Sequence, residues 1–279
     1  MREVHISEIT DAVKKLSIDA NYNLGDDVLN AFKEGLRKEE SHIGKTVFES
    51  LIKNAEIARN ECVPMCQDTG SAIFFVDVGQ DVHIKGGGLS EAINEGVRQG
   101  YREGYLRKSI RDPITGKNTG DNTPAFINYD IVAGDKIRIV ILPKGGGSEN
   151  MGRVTMLRPA DGIEGIKRFV VQRCMEAGPN PCPPVIVGVG IGGTMEKVGV
   201  IARKALLREI GSKNKDPELT EIEKDLEKRI NNLGIGPGGF GGRIYTLGVF
   251  VEKYPCHIAA LPVAVDIGCS AIRHKEIVI

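Results

Sequence analysis

The sequence predicts a mixed α/β chain of the α+β type, with a helical N-terminal part packed on a mixed-sheet body. Two observations carry that prediction. Through the first sixty residues apolar side chains recur at three- and four-residue spacing, the period of an amphipathic helix. After the stretch CVPMCQDTG (62–70) the apolar runs shorten to strand length, fill with β-branched residues and alternate with helical segments. One domain over 1–279 is expected, with a helical subregion at 1–61 and an α/β body at 62–279.

Taken in order, SEITDAVKKL opens a helix with Ser7 as its expected cap, and DDVLNAFKEGL and TVFESLIKNAEIARN continue the helical part. AIFFVDV then reads as a buried strand, and GGGLSEAINEGVRQGYREGYLRKS holds a helix capped by Ser90. RDPITGKNTGDNTPA is a long polar loop, of the kind that in a compact domain is functional or disordered. IVAGDKIRIVILP gives two strand pieces around a Gly-Asp turn and runs into KGGGSEN. A helix over 161–177, the strand PPVIVGVG and a helix ending at Gly211 follow. ELTEIEKDLEKRINNLG is a further helix, stopped by Gly234. Past the glycine-rich GIGPGGFGG come two strands, RIYTLGVFV and HIAALPVAV.

The charge balance excludes several partners. With 37 basic and 37 acidic side chains the formal net charge is zero, which leaves no electrostatic footprint for nucleic acid or an anionic membrane surface. The N-terminus MREVHISEIT has no apolar core of a secretory signal, and the apolar stretches VIVGVGIGG and AALPVAV are too short to span a bilayer. A cytoplasmic protein is expected. Six cysteines in such a chain read as buried thiols, metal ligands or nucleophiles before they read as a disulfide framework.

Four stretches have chemical potential, each beside a plainer structural reading. In CVPMCQDTG, the C-x-x-x-C spacing fits neither a redox pair nor a zinc ribbon, and Thr69 stands where a three-thiolate radical-enzyme site needs a cysteine. Two buried thiols beside a turn is the plain reading. Against it, Gln67 and Asp68 directly follow Cys66, an amide and a carboxylate suited to holding and protonating a small anion. GVGIGG (188–193) matches G-x-G-x-x-G between a strand and a helix, but the acid expected on a strand tip is replaced by Glu209 near a helix end. Tight strand–helix packing is its plain alternative. KGGGSEN (144–150) is either a structural turn or a set of backbone amides open to a ligand. In PCHIAALPVAVDIGCSAIRH, His257 precedes Cys269 by twelve residues; alone, such a histidine reads as structural. Cys174 falls inside a helical pattern and reads as core.

Together these stretches resemble the α subunit of the two-subunit class I (iron–sulfur) fumarate hydratases and the related L-tartrate dehydratases. The resemblance rests on MCQDTG, GYLRKS, NTGDNTPA, PKGGGSENM, AGPNPCPPVIVGVGIGGT and ALPVAVDIGCSAIRH, in that order between Cys66 and His274. It implies a [4Fe–4S] cluster held by the thiolates of Cys66, Cys182 and Cys269, with one iron left open as a Lewis acid. It places Gln67 and Asp68 in the substrate pocket, Asp68 handling protons, with Arg107 on a substrate carboxylate and the Gly145–Gly147 turn, centred on Gly146, offering backbone amides. It also places His257 in the pocket. Cys62 and Cys256 match no ligand position.

The resemblance further implies an α-catalytic fold of the iron–sulfur hydro-lyase type and a β subunit, in an α2β2 heteromer, that completes the pocket for a small dicarboxylate. The expected reaction is reversible hydration of fumarate to L-malate, a tricarboxylic acid cycle step; the short chain favours it over dehydration of L-tartrate to oxaloacetate. A nucleotide-binding dehydrogenase built on GVGIGG and an electron-transfer scaffold stand as alternatives from other classes.

Overall fold

A computed structural model describes residues 1–279, and the chain is a mixed α/β protein whose contacts divide it into two compact units. The first comprises Met1–Gly25, Asn54–Gly146 and Ala271–Ile279; the second comprises Asp26–Lys53 and Gly147–Ser270.

In the first unit, β1 (Arg2–His5) pairs in parallel with β3 (Val82–Lys85). A second sheet has the order β10-β5-β2-β4, built from β2 (Ser71–Gly79), β4 (Phe126–Val132), β5 (Ile137–Lys144) and β10 (Lys275–Val278). The β2 sequence AIFFVDV is apolar on both faces because both are covered, and Ala72 to Val76 are buried. On this sheet lie α1 (Ile6–Tyr22) and α4 (Leu89–Glu103), which share a core of Ile9, Val13, Leu16, Ile93, Val97 and Tyr101. Gly96 and Gly100 let α4 approach α1 closely: a Cβ on Gly96 would sit 2.6 Å from that of Val13.

The second unit has one sheet, β6-β9-β7-β8, from β6 (Arg153–Leu157), β7 (Val185–Gly192), β8 (Thr246–Tyr254) and β9 (Leu261–Gly268). β7 runs parallel to β8 and antiparallel to β9. The helices α6 (Gly162–Ala177), α7 (Met195–Ala205) and α8 (Pro217–Asn231) belong to this unit, as does α2 (Asp26–Lys38). α3 (His42–Glu61) crosses the division at Lys53, and the one-turn α5 (Gly146–Glu149) crosses it at Gly146. No helix is long and apolar enough to cross a membrane.

The helical subregion 1–61 does not stay together. The apolar stripe of α1 packs in the first unit, whereas α2 places Phe32 against Phe48 of α3, ring centroids 6.2 Å apart, in the second. Two caps also differ from expectation. α1 starts at Ile6 and is capped by His5, whose Nδ1 accepts the Ser7 N–H while Glu8 accepts the His5 N–H. α4 is capped by Gly88, and the Ser90 hydroxyl instead meets that of Tyr129 at 2.9 Å. α7 ends at Ala205, short of Gly211, where three successive i→i−3 bonds tighten the chain.

Candidate active site

In the first unit the stretch CVPMCQDTG leaves the end of α3 and is pinned on both flanks. Met65 donates its N–H to the Asn21 carbonyl at 3.0 Å, and the Asn54 amide donates to the Met65 carbonyl at 2.7 Å. Cys66 follows at once, partly exposed, its thiol directed to the Gln67 side-chain oxygen at 3.6 Å. The carboxylate of Asp68 is then held from two sides. Oδ1 accepts the Gly70 N–H at 3.1 Å and Oδ2 accepts the Gly146 N–H at 2.8 Å. Asp68 and the glycine turn after β5, paired only by resemblance in the sequence, are thus in direct contact.

Gly70 makes that contact possible. Its φ is +76°, and a Cβ there would lie 2.6 Å from the carbonyl of Lys144, inside the backbone of β5. The carbonyls of Thr69 and Gly70 both accept from the buried Tyr101 hydroxyl, at 3.2 and 3.0 Å. Burial drives the Tyr101 phenol far above its ordinary range, so it stays a donor. Asn122, fully buried at the end of the polar loop, adds its amide to the Gly70 carbonyl at 3.2 Å and accepts the Ser109 N–H at 2.7 Å. Through Thr69, whose hydroxyl donates to the Arg107 carbonyl at 3.2 Å, the loop beyond α4 is tied beside Asp68; the Arg107 side chain itself is exposed. Arg273, 3% exposed, donates to the carbonyls of Asp68 and Ala271 and to the Asn21 side chain. Tyr101, Asn122 and Arg273 were not singled out as functional in the sequence. Only NTGDNTPA and IRH, which contain two of them, hinted at a role.

In the second unit Cys182 and Cys269 lie at one end of the sheet. Cys182 sits in the turn before β7 with a φ of +56°, and Cys269 follows β9 directly. The Ser270 N–H donates to the Cys182 carbonyl at 3.1 Å, joining the two turns. His257 lies elsewhere. It occupies the exposed connection from β8 to β9, where its Nδ1 accepts the Ala259 N–H at 3.1 Å. That connection meets the far end of β7, the Gly193 N–H donating to the Pro255 carbonyl. Seven residue steps of β7 separate the two ends, about 23 Å at strand rise. The chain's own second unit therefore does not gather His257 with these cysteines.

The thiols differ in what they can do. Cys174 is fully buried in α6, and burial pushes it up to about 12, so it is an inert core thiol as expected. Cys66, Cys182 and Cys269 stand on turns, partly or fully exposed, in donor chemistry that suits iron. No group of three or more His, Cys, Asp or Glu side chains is gathered in a metal-binding arrangement.

GVGIGG resolves in favour of packing. Gly188 and Gly190 lie inside β7, where a Cβ would come 2.2 Å from the Ala202 carbonyl oxygen and 2.4 Å from that of Val198, both on α7. A dinucleotide loop needs its glycines in the turn after the strand. KGGGSEN is also anchored: Glu149 is paired by the Arg203 guanidinium, which meets Asp266 of β9 at 2.7 Å as well.

The family model for fumarate hydratase (Fumerase) matches residues 10–278. A protein of Methanocaldococcus jannaschii with the provisional name L(+)-tartrate dehydratase subunit alpha is 44% identical over 273 residues, 95% of each chain. The L(+)-tartrate dehydratase alpha subunit of Escherichia coli O157:H7 is 36% identical, covering 98% of this chain and 91% of its own. That of Shigella sonnei is 35% identical with the same coverage.

Proposed function

The chain belongs to the fumarate hydratase (Fumerase) family as the α subunit of a hydro-lyase, and from that premise we propose that it catalyses the reversible hydration of fumarate to L-malate with an iron–sulfur centre and a β subunit. The observation that carries the reading is the fixed carboxylate of Asp68, gripped by the Gly70 and Gly146 amides next to the accessible thiol of Cys66.

Cys66, Cys182 and Cys269 are the proposed ligands of a [4Fe–4S] cluster. Held by these three thiolates, such a cluster would supply Lewis acidity toward a hydroxyl and a carboxylate. The chain's own residues do the rest. Asp68, its orientation set by two amides, is the group that gives or takes the proton at the substrate carbon. Gln67, adjacent to both the thiol and the carboxylate, is positioned to hydrogen-bond a substrate oxygen. Arg107 supplies the planar fork that binds a carboxylate in two-point fashion. The Gly146 amide serves Asp68 first and the substrate through it. His257, at the other end of its sheet, enters no step derived from this chain alone.

L-tartrate is the second reading, favoured by the names of the relatives. Chain length does not separate the two, because a relative named for tartrate is matched over 95% of its length. The test is anaerobic reconstitution of the chain with its β subunit, followed by iron and sulfide analysis and turnover of L-malate against L-tartrate. About four irons per chain, lost in Cys66→Ala, Cys182→Ala and Cys269→Ala, with preference for malate, is expected. Absence of iron would falsify the cluster, and preference for tartrate would replace the substrate.

A further inference from the structure

Between α2 and α3 stands a buried carboxylate that the reaction does not use. Glu39 is 1% exposed, and its partners are main-chain amides. Oε1 accepts the N–H groups of Glu40 and Ser41 at 2.9 Å each; Arg243 and Ile244, just past GIGPGGFGG, donate their N–H groups at 3.0 Å. The cradle is cut to fit: a Cβ on Gly242 would come within 2.8 Å of Oε1, and one on Gly44 within 2.8 Å of Glu39 Cγ. A buried charge ringed by amides resists displacement, since any donor withdrawn leaves it unsatisfied.

The loop gripped in this way leads to a proposed cluster ligand. The Gly238 N–H donates to the Pro183 carbonyl at 2.8 Å. Gly239 lies so close to Pro179 that a Cβ would fall 2.4 Å from the proline Cβ. Both ends of the turn that contains Cys182 are therefore braced by the glycine loop, while Cys182 itself holds a left-handed φ that its surroundings must enforce.

We infer that Glu39 is a positioning residue for Cys182, fixing the thiol through the glycine loop, an inference that rests on the reading of Cys182 as a ligand. Its effect is local. Arg243 contributes through its backbone, and its side chain pairs only with the exposed Glu40.

The test uses the full metal-free chain and then the same chain reconstituted anaerobically. In Glu39→Gln, amide hydrogen exchange at Gly238 and Cys182 is expected to speed up at least tenfold, with the amides of β2 and α4 unchanged. After reconstitution, iron release to a chelator should be at least fivefold faster than in the wild type. Arg243→Ala should match the wild type in both. If Glu39→Gln fails to fold, seen as alkylation of the buried Cys174, Gly242→Ala presses on the same carboxylate from the loop side and should give the same local loss. Faster exchange at Gly238 with no change at Cys182 would overturn the inference. Faster exchange at both, in a wild type that takes up no iron, would uphold the brace and remove the cluster reading instead.

Discussion

The turn bearing Cys66 and the turn bearing Cys182 are held by opposite strategies. Around Cys66 and Asp68, four separate side chains (Asn54, Tyr101, Asn122 and Arg273) donate to main-chain carbonyls of one short loop, Met65 to Gly70. Around Cys182 the bracing is backbone against backbone, and the side chain that anchors the brace is the single carboxylate of Glu39. A loop held by many independent contacts loses them one at a time. A loop hung from one charge loses its brace at once, and that charge can be titrated.

The largest effect tests what the first arrangement is for. Asp68→Asn should cut turnover by roughly 10²- to 10⁴-fold, the usual worth of a positioned proton donor or acceptor, with the denaturation midpoint little moved. Next, Gly70→Ala should destabilise the chain by about 3 kcal/mol or more in chemical denaturation, since it combines backbone strain with a collision against β5. Tyr101→Phe removes one of several ties and should cost about 1–2 kcal/mol; a larger loss would show that the contacts are not independent.

The second arrangement predicts a pH signature. Burial alone would raise the Glu39 carboxyl, but the amides of Ser41, Arg243, Ile244 and Glu40 outweigh it and hold it below the ordinary glutamate range. Stability gained from a lowered carboxylate is present above its unfolded value, near pH ~4.3, and is lost as pH falls through the folded one. Acid unfolding of Glu39→Gln should therefore be less steep than that of the wild type below about pH 4. The smallest effect is expected from His257→Gln, which should leave iron content unchanged. A loss would mean that the two ends of the second sheet are coupled.

Much of this was legible beforehand because it depends on local rules. The apolar period gave α2 and α3, the β-branched runs gave β2, β5, β7, β8 and β9, and burial of Cys174 followed from its place in a helical repeat. The short strands β1, β3, β6 and β10 escaped notice, being half-exposed segments of four or five residues with no run to see. MCQDTG and PKGGGSENM pointed to Asp68 and Gly146, but not to their bond, which spans seventy-eight residues. Glu39 had no signal at all. In RKEESHIG it is one acid among charges, and two of its four amide partners lie 204 and 205 residues away, which no composition reveals. Helix caps failed for the same reason at smaller scale: Ser90 has the right chemistry, yet Tyr129 claims its hydroxyl.

The first unit is assembled from three separate stretches, and the last of them, Ala271–Ile279, supplies both β10 and Arg273. During synthesis the loop of Cys66 and Asp68 leaves the ribosome some two hundred residues before the arginine that holds the Asp68 carbonyl. Contacts this distant in sequence form late, after the intervening chain has been ordered. A nascent chain therefore exposes the Cys66 thiol long before Arg273 can hold its loop in place.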